Sequence, residues 1–429
     1  MLSASRHTVA VLGVLFDNVT MDEAVDILDE KIMEGGFHQV ATANVDFLMH
    51  AIRDKSLQDI LCGCDLVVAD GMPILWASRL MGTHLKERVA GVDLVPRLAG
   101  LAARRGYGVY LLGASDRNSE LAATHLLEMH PGLRIAGRYS PPQSTLEEMD
   151  HEDILHRIEV AKPEILLVAM GHPKQEKWLA MHRERLQVPV CVGVGGTLDF
   201  LSGAAQRAPG WMQAGGLEWL YRACQEPRRL ARRYLNDAAG LARHLPPQFA
   251  IAATQRRDPL RSSVCHHEIG NTVVISIVGS LSDNVLLLFD RYVREAIRAG
   301  RHIVLDMSEA THLGLDSLGS LLHLSTVMKQ HQRQLWVADL RPHILRVLRS
   351  ARVDTYFTYA ASLGDALYRI VKEDYRLMTE AKSARAANPM RGYGVHVKVE
   401  LLQNVCERIL DGIPVAGSEL RAPGSSLET

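Results

Sequence analysis

Cysteine is scarce in this chain, with six residues among 429. The thiols are spread over the whole length, at positions 62, 64, 191, 224, 265 and 406, which excludes the dense framework of a small disulfide-stabilised domain. No second Cys or His pair at a matching spacing completes a zinc site with Cys62 and Cys64. We therefore expect structural thiols and a reducing compartment.

Long apolar runs and an excess of charge of one sign are also missing. No stretch reaches the roughly 18 consecutive apolar residues of a membrane-spanning helix. The apolar run from Thr8 to Phe16 is followed at once by Asp17 and lacks a cleavage site, so we predict no signal peptide. A formal net charge of −1 gives no global reason to expect nucleic-acid binding. Any membrane contact would be peripheral.

Short apolar runs alternate with amphipathic stretches from residue 9 to residue 240. The predicted strands are Val9–Val14, Gln39–Ala43, Leu66–Ala69, Gly108–Leu112, Arg134–Ala136, Ile165–Ala169 and Val188–Val194. This alternation predicts an α/β fold with a parallel sheet that helices cover on both faces. In such folds ligands bind beyond the carboxyl ends of the strands.

A second α/β rhythm follows a break in composition at Leu245–Gln248. We predict a first domain over residues 1–245 with a basic appendage at about 216–240, and a linker over 246–263. A small α/β domain over 264–372 and a polar, partly disordered tail over 373–429 complete the predicted organisation.

Polar residues follow four of the predicted strands of the first domain. Thr42 and Asn44 end one strand, Asp70 ends the next, and the segments Gly171–Glu176 and Gly193–Gly196 end two others. Each alone is explained as a helix cap or an ordinary turn. If the strands are neighbours in a parallel sheet, the four tips meet at one edge, which indicates a ligand site.

Six segments together resemble the WecG/TagA/CpsF family of bacterial glycosyltransferases over about residues 9–236. They are, in order, TANVDFLMHA, VVADGMPILW, RVAGVDLVP, MGHPKQEKW, GVGGTLDFLSGAAQRAPGW and GLEWLYRACQEPRRLARRYL. The resemblance implies a Rossmann-like sheet and transfer of a sugar from a UDP-sugar to a polyprenyl-diphosphate-linked sugar, with inversion and without a metal or other cofactor. N-acetylmannosamine, its uronate or a related hexose is the implied sugar, for bacterial surface polysaccharide.

Asp70 matches the proposed base of that family, and an inverting displacement needs a base near the incoming hydroxyl. The chain has no Asp-x-Asp motif to bind a metal, so the leaving diphosphate must be met by cationic side chains or backbone amides. Candidate substrate-binding residues are Thr42, Asn44, Arg88, Gln175, Gly195, Gly196 and Arg207. We expect Gln175 to face the ligand.

The appendage carries Arg222, Arg229 and Arg232 among aromatic residues, and these three are further candidates for substrate binding. A solvated basic helix would explain the pattern equally simply. The family resemblance favours a segment that closes over the site and touches anionic lipid headgroups. It implies a cytoplasmic protein held at the inner face of the cell membrane.

The segment HIVLDMSEATHLGLDSLGSLLHL, at 302–324, resembles the STAS domain of anti-sigma factor antagonists, and the likeness extends over about 265–372. The matching Ser317 is a candidate for phosphorylation by a partner kinase, and an anti-sigma-like protein is the other implied partner. The residues alone are equally explained if Ser317 is a helix cap in a plain docking module.

Two other functions fit parts of the pattern. A non-catalytic scaffold would bind nucleotide-sugar or lipid in the first domain and relay that state through the second; the presence of Asp70, Arg88 and Gln175 together argues against it. A nicotinamide-dependent oxidoreductase would use Gly193-x-Gly195-Gly196, but the Gly-x-Gly-x-x-Gly spacing is missing.

Overall fold

The computed structural model describes residues 8–214, 217–225, 230, 232–254, 262–281 and 283–386. The strands of its first part are β1 (Thr8–Val11), β2 (Val14–Asp17), β3 (His38–Ala43), β4 (Leu66–Ala69), β5 (Gly108–Gly113), β6 (Arg134–Tyr139), β7 (Ile165–Ala169) and β8 (Val190–Gly193). The helices are α1 (Met21–Glu34), α2 (Val45–Arg53), α3 (Lys55–Cys62), α4 (Met72–Leu80), α5 (Gly91–Arg105), α6 (Asp116–Met129), α7 (His151–Ala161), α8 (Lys174–Met181), α9 (Thr197–Leu201), α10 (Gly210–Ala214), α11 (Glu218–Gln225) and α12 (Arg232–Thr254).

A six-stranded parallel sheet with the strand order β4-β3-β8-β7-β5-β6 forms the centre of this first domain. The side chains of β3, β4, β5, β7 and β8 are buried along their whole length, as expected when helices cover both faces. The predicted α/β class is confirmed. The four strands that precede the polar tips, β4, β3, β8 and β7, are direct neighbours, so their carboxyl ends meet at one edge.

The first predicted strand, Val9–Val14, is wrong as a single element. The chain turns at Leu12 and Gly13, which have φ values of 49° and 86°, and β1 and β2 form an antiparallel hairpin outside the parallel sheet. Positive φ at both central residues is the geometry of a tight two-residue hairpin turn. The apolar run gave no indication of this turn, because leucine rarely adopts a conformation with positive φ.

The second α/β domain contains β9 (Ser263–Ile269), β10 (Thr272–Leu281), α13 (Asp283–Arg298), β11 (His302–Asp306), β12 (Ala310–Leu313), α14 (Leu315–Gln330), β13 (Leu335–Ala338), α15 (Pro342–Ser350), a 3-10 turn (Asp354–Tyr356), β14 (Thr358–Ala360) and α16 (Leu363–Ala386). Its sheet has the order β12-β10-β11-β13-β14, all parallel, and β9 pairs antiparallel with β10. This arrangement agrees with the predicted small α/β domain.

The two domains share one hydrophobic core through the β1–β2 hairpin. Buried side chains of the hairpin, such as Val9 and Phe16, belong to the same cluster as Leu318 and Leu321 of α14. Polar contacts reinforce this packing: the Gln58 side-chain amide donates to Gly13 O at 3.0 Å in the hairpin and to the second domain at 3.1 Å. The second domain is therefore docked on the first by burial of apolar surface.

Helices extend into both segments that the sequence assigns to linker and tail. Helix α12 continues through Pro246 and Pro247, and the next residue, Gln248, is buried and accepts a hydrogen bond from Leu12 N at 3.4 Å. Helix α16 passes residue 372, and Asp374 lies 3.2 Å from His302 Nε2. Tertiary contacts thus hold polar segments helical where composition alone indicates irregular chain, while the predicted domain boundaries stay a prediction.

Gly319 provides a test of the docking. A Cβ atom at this position in α14 would lie 2.2 Å from Thr8 Oγ1 and 2.5 Å from Thr8 O of β1. We expect Gly319→Ala to lower the free energy of unfolding by about 1–3 kcal/mol in urea titrations, because the overlap with backbone outweighs the better helix propensity of alanine.

Gly364→Ala in α16 is the matched control, since its Cβ would meet nothing closer than Ser362 Oγ at 3.8 Å. It should leave the stability unchanged or slightly higher. A Gly319→Ala protein as stable as this control would show that α14 does not pack against β1 in this way.

Candidate active site

Asp70 lies at the carboxyl end of β4 and is held there by the backbone. Its amide donates to Ala43 O of the neighbouring β3 at 2.9 Å, and Val89 N donates to Ala69 O at 3.0 Å. The second bond draws the segment before α5 toward the strand end. Asp70 Oδ2 then accepts a bond of 3.4 Å from Gly91 N, at the amino end of α5, where the helix dipole favours negative charge.

The carboxyl of Asp70 is nevertheless easier to protonate than an ordinary aspartate. Loss of solvent around the side chain raises the pKa of Asp70 to about 6, against the opposing effects of the Arg88 charge and of the Gly91 hydrogen bond. Glu218 raises this pKa further, and Arg222 lowers it. A carboxylate that is ionised at neutral pH, yet more basic than usual, suits a general base.

Two arginines and two carboxylates form a closed cluster beside Asp70. Arg88 contacts Glu218 at 2.9 Å and Asp93 at 3.3 Å. Arg207 contacts Asp93 at 2.5 Å and Glu218 at 3.5 Å. We call Arg88, Asp93, Arg207 and Glu218 the charge quartet; its formal charges cancel.

The quartet joins parts of the chain that are far apart in sequence. Asp93 is in the first turn of α5, and Glu218 is the first residue of α11 in the predicted appendage. Sequence reasoning selected both arginines for the diphosphate but missed both acids. The available signal was that RVAGVD and GLEW each contain an acidic residue, and arginines with low exposure need such partners.

Gln175, which was expected to face the ligand, is buried and only 1% exposed, and its observed partners belong to the protein. Its Oε1 accepts from Gly195 N at 3.1 Å, and its Nε2 donates to Glu176 Oε1 at 2.7 Å. Gly193 allows this approach, because a Cβ there would lie 2.7 Å from Gln175 Nε2. The contacts of Gln175 position the glycine loop; a direct role in substrate binding remains a prediction for Gln175, Gly195 and Gly196.

Thr42 and Asn44, at the end of β3, are both engaged by the protein itself. Thr42 Oγ1 donates to Gly193 O at 3.0 Å, which ties the ends of β3 and β8 together. Asn44 is the N-cap of α2, and its Oδ1 accepts from Asp46 N at 3.0 Å. Capping, the simpler explanation, accounts for the observed bond of Asn44, and substrate contact remains a prediction for both residues.

The appendage places one of its three candidate arginines near the site. The Arg222 guanidinium lies 4.7 Å from the centre of the Phe200 ring, and its charge acts on Asp70. Arg232 is exposed at the start of α12, and Arg229 lies outside the described residues.

Trp211 is 70% exposed on α10, and Trp219 of α11 is 40% exposed. Within the described ranges, no helix is long and apolar enough to cross a membrane.

Ser317 of the second domain is completely buried. Its hydroxyl donates to Leu281 O, and α14 packs against β1 two residues later, at Gly319. The side chain of Asp316 lies outside the described residues. A kinase needs an accessible hydroxyl, so phosphorylation of Ser317 stays a prediction that requires the second domain to open or separate from the first.

Comparison with known families agrees with this division of the chain. Residues 9–254 match the model of the glycosyl transferase WecG/TagA/CpsF family, and residues 265–366 match the STAS domain. Curated relatives include N-acetylglucosaminyldiphosphoundecaprenol N-acetyl-beta-D-mannosaminyltransferases of Staphylococcus aureus, among them that of strain COL. These are 30% identical over 226 residues, which cover 52% of this chain and 87% of the relative. Both predicted resemblances are confirmed.

Among solved structures, an anti-sigma factor antagonist from Mycobacterium paratuberculosis is 20% identical. The match covers 27% of this chain and 98% of that chain, with a TM-score of 0.23.

The raised pKa of Asp70 makes stability depend on pH. Between its ordinary value of 3.8 and about 6, the folded protein keeps a proton that the unfolded chain has lost, so the stability contributed by this group falls as the pH rises through that window. Asp70→Asn cannot ionise. We expect its free energy of unfolding, relative to the parent protein, to rise by about 1–3 kcal/mol between pH 4 and pH 7 in urea titrations.

Asp153→Asn is a control of opposite sign, because the Arg157 hydrogen bond holds the pKa of Asp153 below its usual range. That variant should lose relative stability as the pH rises. If the difference in free energy of unfolding between Asp70→Asn and the parent protein did not change with pH, the desolvated environment of Asp70 would be contradicted.

Proposed function

The chain belongs to the WecG/TagA/CpsF family of glycosyltransferases, and we propose that it transfers a sugar from a UDP-sugar to a polyprenyl-diphosphate-linked sugar with inversion of the anomeric carbon. The observation that carries this proposal is the position of Asp70 beside the two arginines of the charge quartet. A base and a cationic group side by side are what such a displacement needs.

In the proposed reaction the acceptor hydroxyl attacks the anomeric carbon of the donor while Asp70 takes the hydroxyl proton. The new glycosidic bond forms as the bond between that carbon and the diphosphate breaks, and UDP leaves with the electron pair. Arg88 and Arg207 balance the negative charge that develops on UDP. Gly91 N, which donates to Asp70, keeps the carboxylate oriented. The family resemblance implies that these proposed steps need no metal or other cofactor.

The Staphylococcus aureus relatives supply the substrate class. Their name gives N-acetylmannosamine as the transferred sugar and N-acetylglucosaminyl-diphospho-undecaprenol as the acceptor. We propose the same class of acceptor here, with N-acetylmannosamine, its uronate or a related hexose as the sugar, in bacterial surface polysaccharide synthesis. The exposed Trp211 and Trp219 and the basic appendage support peripheral contact with the inner face of the cell membrane.

The STAS domain is proposed to regulate or dock the enzyme. Its α14 packs against the β1–β2 hairpin. Asp17 Oδ2 of that hairpin accepts a hydrogen bond of 2.7 Å from Val67 N of β4, the strand that precedes Asp70. A protein partner that separated α14 from the hairpin would therefore act on the hairpin, which is hydrogen-bonded to β4, the strand that precedes Asp70. A kinase or an anti-sigma-like protein is the proposed class of partner.

The transfer assay tests the function directly. The full chain is incubated with N-acetylglucosaminyl-diphospho-polyprenol and a panel of UDP-sugars, including UDP-N-acetylmannosamine, and UDP and glycolipid are measured. We expect both products with at least one donor, and we expect Asp70→Asn to lower kcat by about 100-fold or more.

Asp116→Asn, an exposed aspartate paired with Arg138 at 2.5 Å, should retain full turnover as the matched control. No product with any donor would favour the non-catalytic scaffold. Equal turnover in Asp70→Asn and Asp116→Asn would remove Asp70 as the base.

Binding of UDP tests the role of Glu218. Because Glu218 holds the same two arginines that the diphosphate needs, Glu218→Gln should tighten UDP binding about fivefold in isothermal titration. Glu152→Gln, which removes a carboxylate from an exposed pair with Arg185, is the control and should not change the affinity. Weaker binding by Glu218→Gln would mean that Glu218 orients the arginines and does not compete with the ligand.

A further inference from the structure

Helix α4 of the first domain is apolar on both of its faces. Its sequence, MPILWASRL, contains only two polar residues, Ser78 and Arg79. A helix at the surface of a domain normally has one apolar face that packs on the core and one polar face toward water. A helix that is apolar all round is normally covered all round, so the outer face of α4 needs an explanation.

The described protein covers only the inner face of α4. Ile74, Leu75 and Ala77 are buried in the core that also contains the β1–β2 hairpin. On the outer face, Trp76 is 39% exposed and Leu80 is 60% exposed. Within the described ranges, the outer face of α4 therefore presents apolar surface to water, which favours a ligand that would cover it.

The apolar side chains of the outer face form a stripe that begins beside the proposed base. Met72, Trp76 and Leu80 are spaced by four residues, so they lie one above the other along the helix. We call these three side chains the α4 ridge. Met72 is half-buried and follows Asp70 by two residues. From there the ridge runs for about 12 Å, at a rise of about 1.5 Å per residue.

The size and the charge of the α4 ridge limit what can cover it. Its exposed surface is on the order of 200 Å², since a whole aromatic side chain buries about 150–250 Å². A stable interface with a second copy of the chain needs about 800 Å² from each partner. Anionic membrane surfaces are recognised by clusters of about four to eight Lys and Arg residues, whereas α4 carries one cation, Arg79. A narrow apolar chain fits the ridge better than either.

We propose that the α4 ridge binds the isoprenoid chain of the acceptor lipid. This inference rests on the proposed function, in which the acceptor sugar reaches Asp70 and is joined to a polyprenyl chain through a diphosphate. Trp76 and Leu80, the exposed members of the ridge, lie about 6 Å and 12 Å along the helix from Met72. That spacing leaves room for the sugar and the diphosphate near Asp70, and it places the first isoprene units on apolar surface.

Isothermal titration of the full chain with farnesyl diphosphate and with inorganic pyrophosphate tests the proposal without requiring turnover. We expect farnesyl diphosphate to bind about tenfold more tightly than pyrophosphate or better, because only farnesyl diphosphate has an isoprenoid chain to bury. Trp76→Ser/Leu80→Ser should reduce this preference to about twofold or less and leave pyrophosphate binding unchanged. Trp76→Phe, which keeps an apolar ring, should preserve the preference.

Met33→Ser/Val160→Ser is the matched control. These two apolar side chains are 63% and 68% exposed, at the ends of α1 and α7, which lead into the amino ends of β3 and β7 at the opposite edge of the sheet. This variant should keep the preference of the parent protein. Failure of farnesyl diphosphate to bind more tightly than pyrophosphate would overturn the proposal, as would equal preferences in the two double variants.

The transfer assay separates this inference from the proposed function. With an active donor, Trp76→Ser/Leu80→Ser should raise KM for N-acetylglucosaminyl-diphospho-polyprenol about tenfold and leave KM for the donor unchanged. Transfer with an unchanged acceptor KM would overturn the inference and keep the function. A preference for farnesyl diphosphate without any transfer would support the α4 ridge as a prenyl site and remove the proposed function.

Two measurements distinguish the other ways of covering the ridge. If Trp76→Ser/Leu80→Ser lost binding to acceptor-free phosphatidylglycerol vesicles but kept the preference for farnesyl diphosphate, the bilayer would be the partner and the proposal would be overturned. Self-association of the parent protein in sedimentation velocity that this variant abolished, again with the preference kept, would assign the ridge to a second copy of the chain.

Discussion

The carboxyl ends of β4, β3, β8 and β7 lie side by side, and the proposed active site depends on that order. Parallel strands deliver the residues that follow them to the same edge, so Asp70, Thr42 and the glycine loop become neighbours although they are far apart in sequence. Backbone bonds between strand ends, such as Asp70 N to Ala43 O at 2.9 Å, then fix Asp70, the proposed base, in place. The buried sheet supplies the rigidity that a catalytic group needs.

Each charged group around Asp70 interacts with more than one neighbour. Arg88 favours the ionised form of Asp70, but its charge is shared with Asp93 and Glu218. A neutral quartet keeps two arginines in a partly buried place without an uncompensated charge, which would be costly. It also holds Glu218, the first residue of α11, close enough to Asp70 to raise the pKa of Asp70. Entry of a diphosphate between Arg88 and Arg207, as proposed, would change this arrangement and so link ligand binding to the position of the appendage.

The sequence predicted the sheet, the second α/β domain and the identity of Asp70 as a strand-end residue, because each depends on local patterns of apolar and polar residues. It did not predict the hairpin, because leucine rarely adopts the positive φ that Leu12 has in the turn. It missed Glu218 and Asp93, because partners of an arginine are determined by tertiary distance. It also predicted that Gln175 faces the ligand, which stays a prediction, but it could not show the bond that Gln175 Oε1 accepts from Gly195 N. Long-range contacts, such as that of Gln248 with Leu12, hold α12 helical into the first part of the predicted linker, and local patterns do not show such contacts.

Asp70 and the charge quartet are proposed to form a single site for the sugar nucleotide. A crystal structure of the full chain with bound UDP tests this claim most directly. The account predicts the diphosphate between Arg88 and Arg207, on the side of Asp70, with Glu218 released from at least one arginine. UDP bound elsewhere while all four contacts of the quartet persist would contradict it.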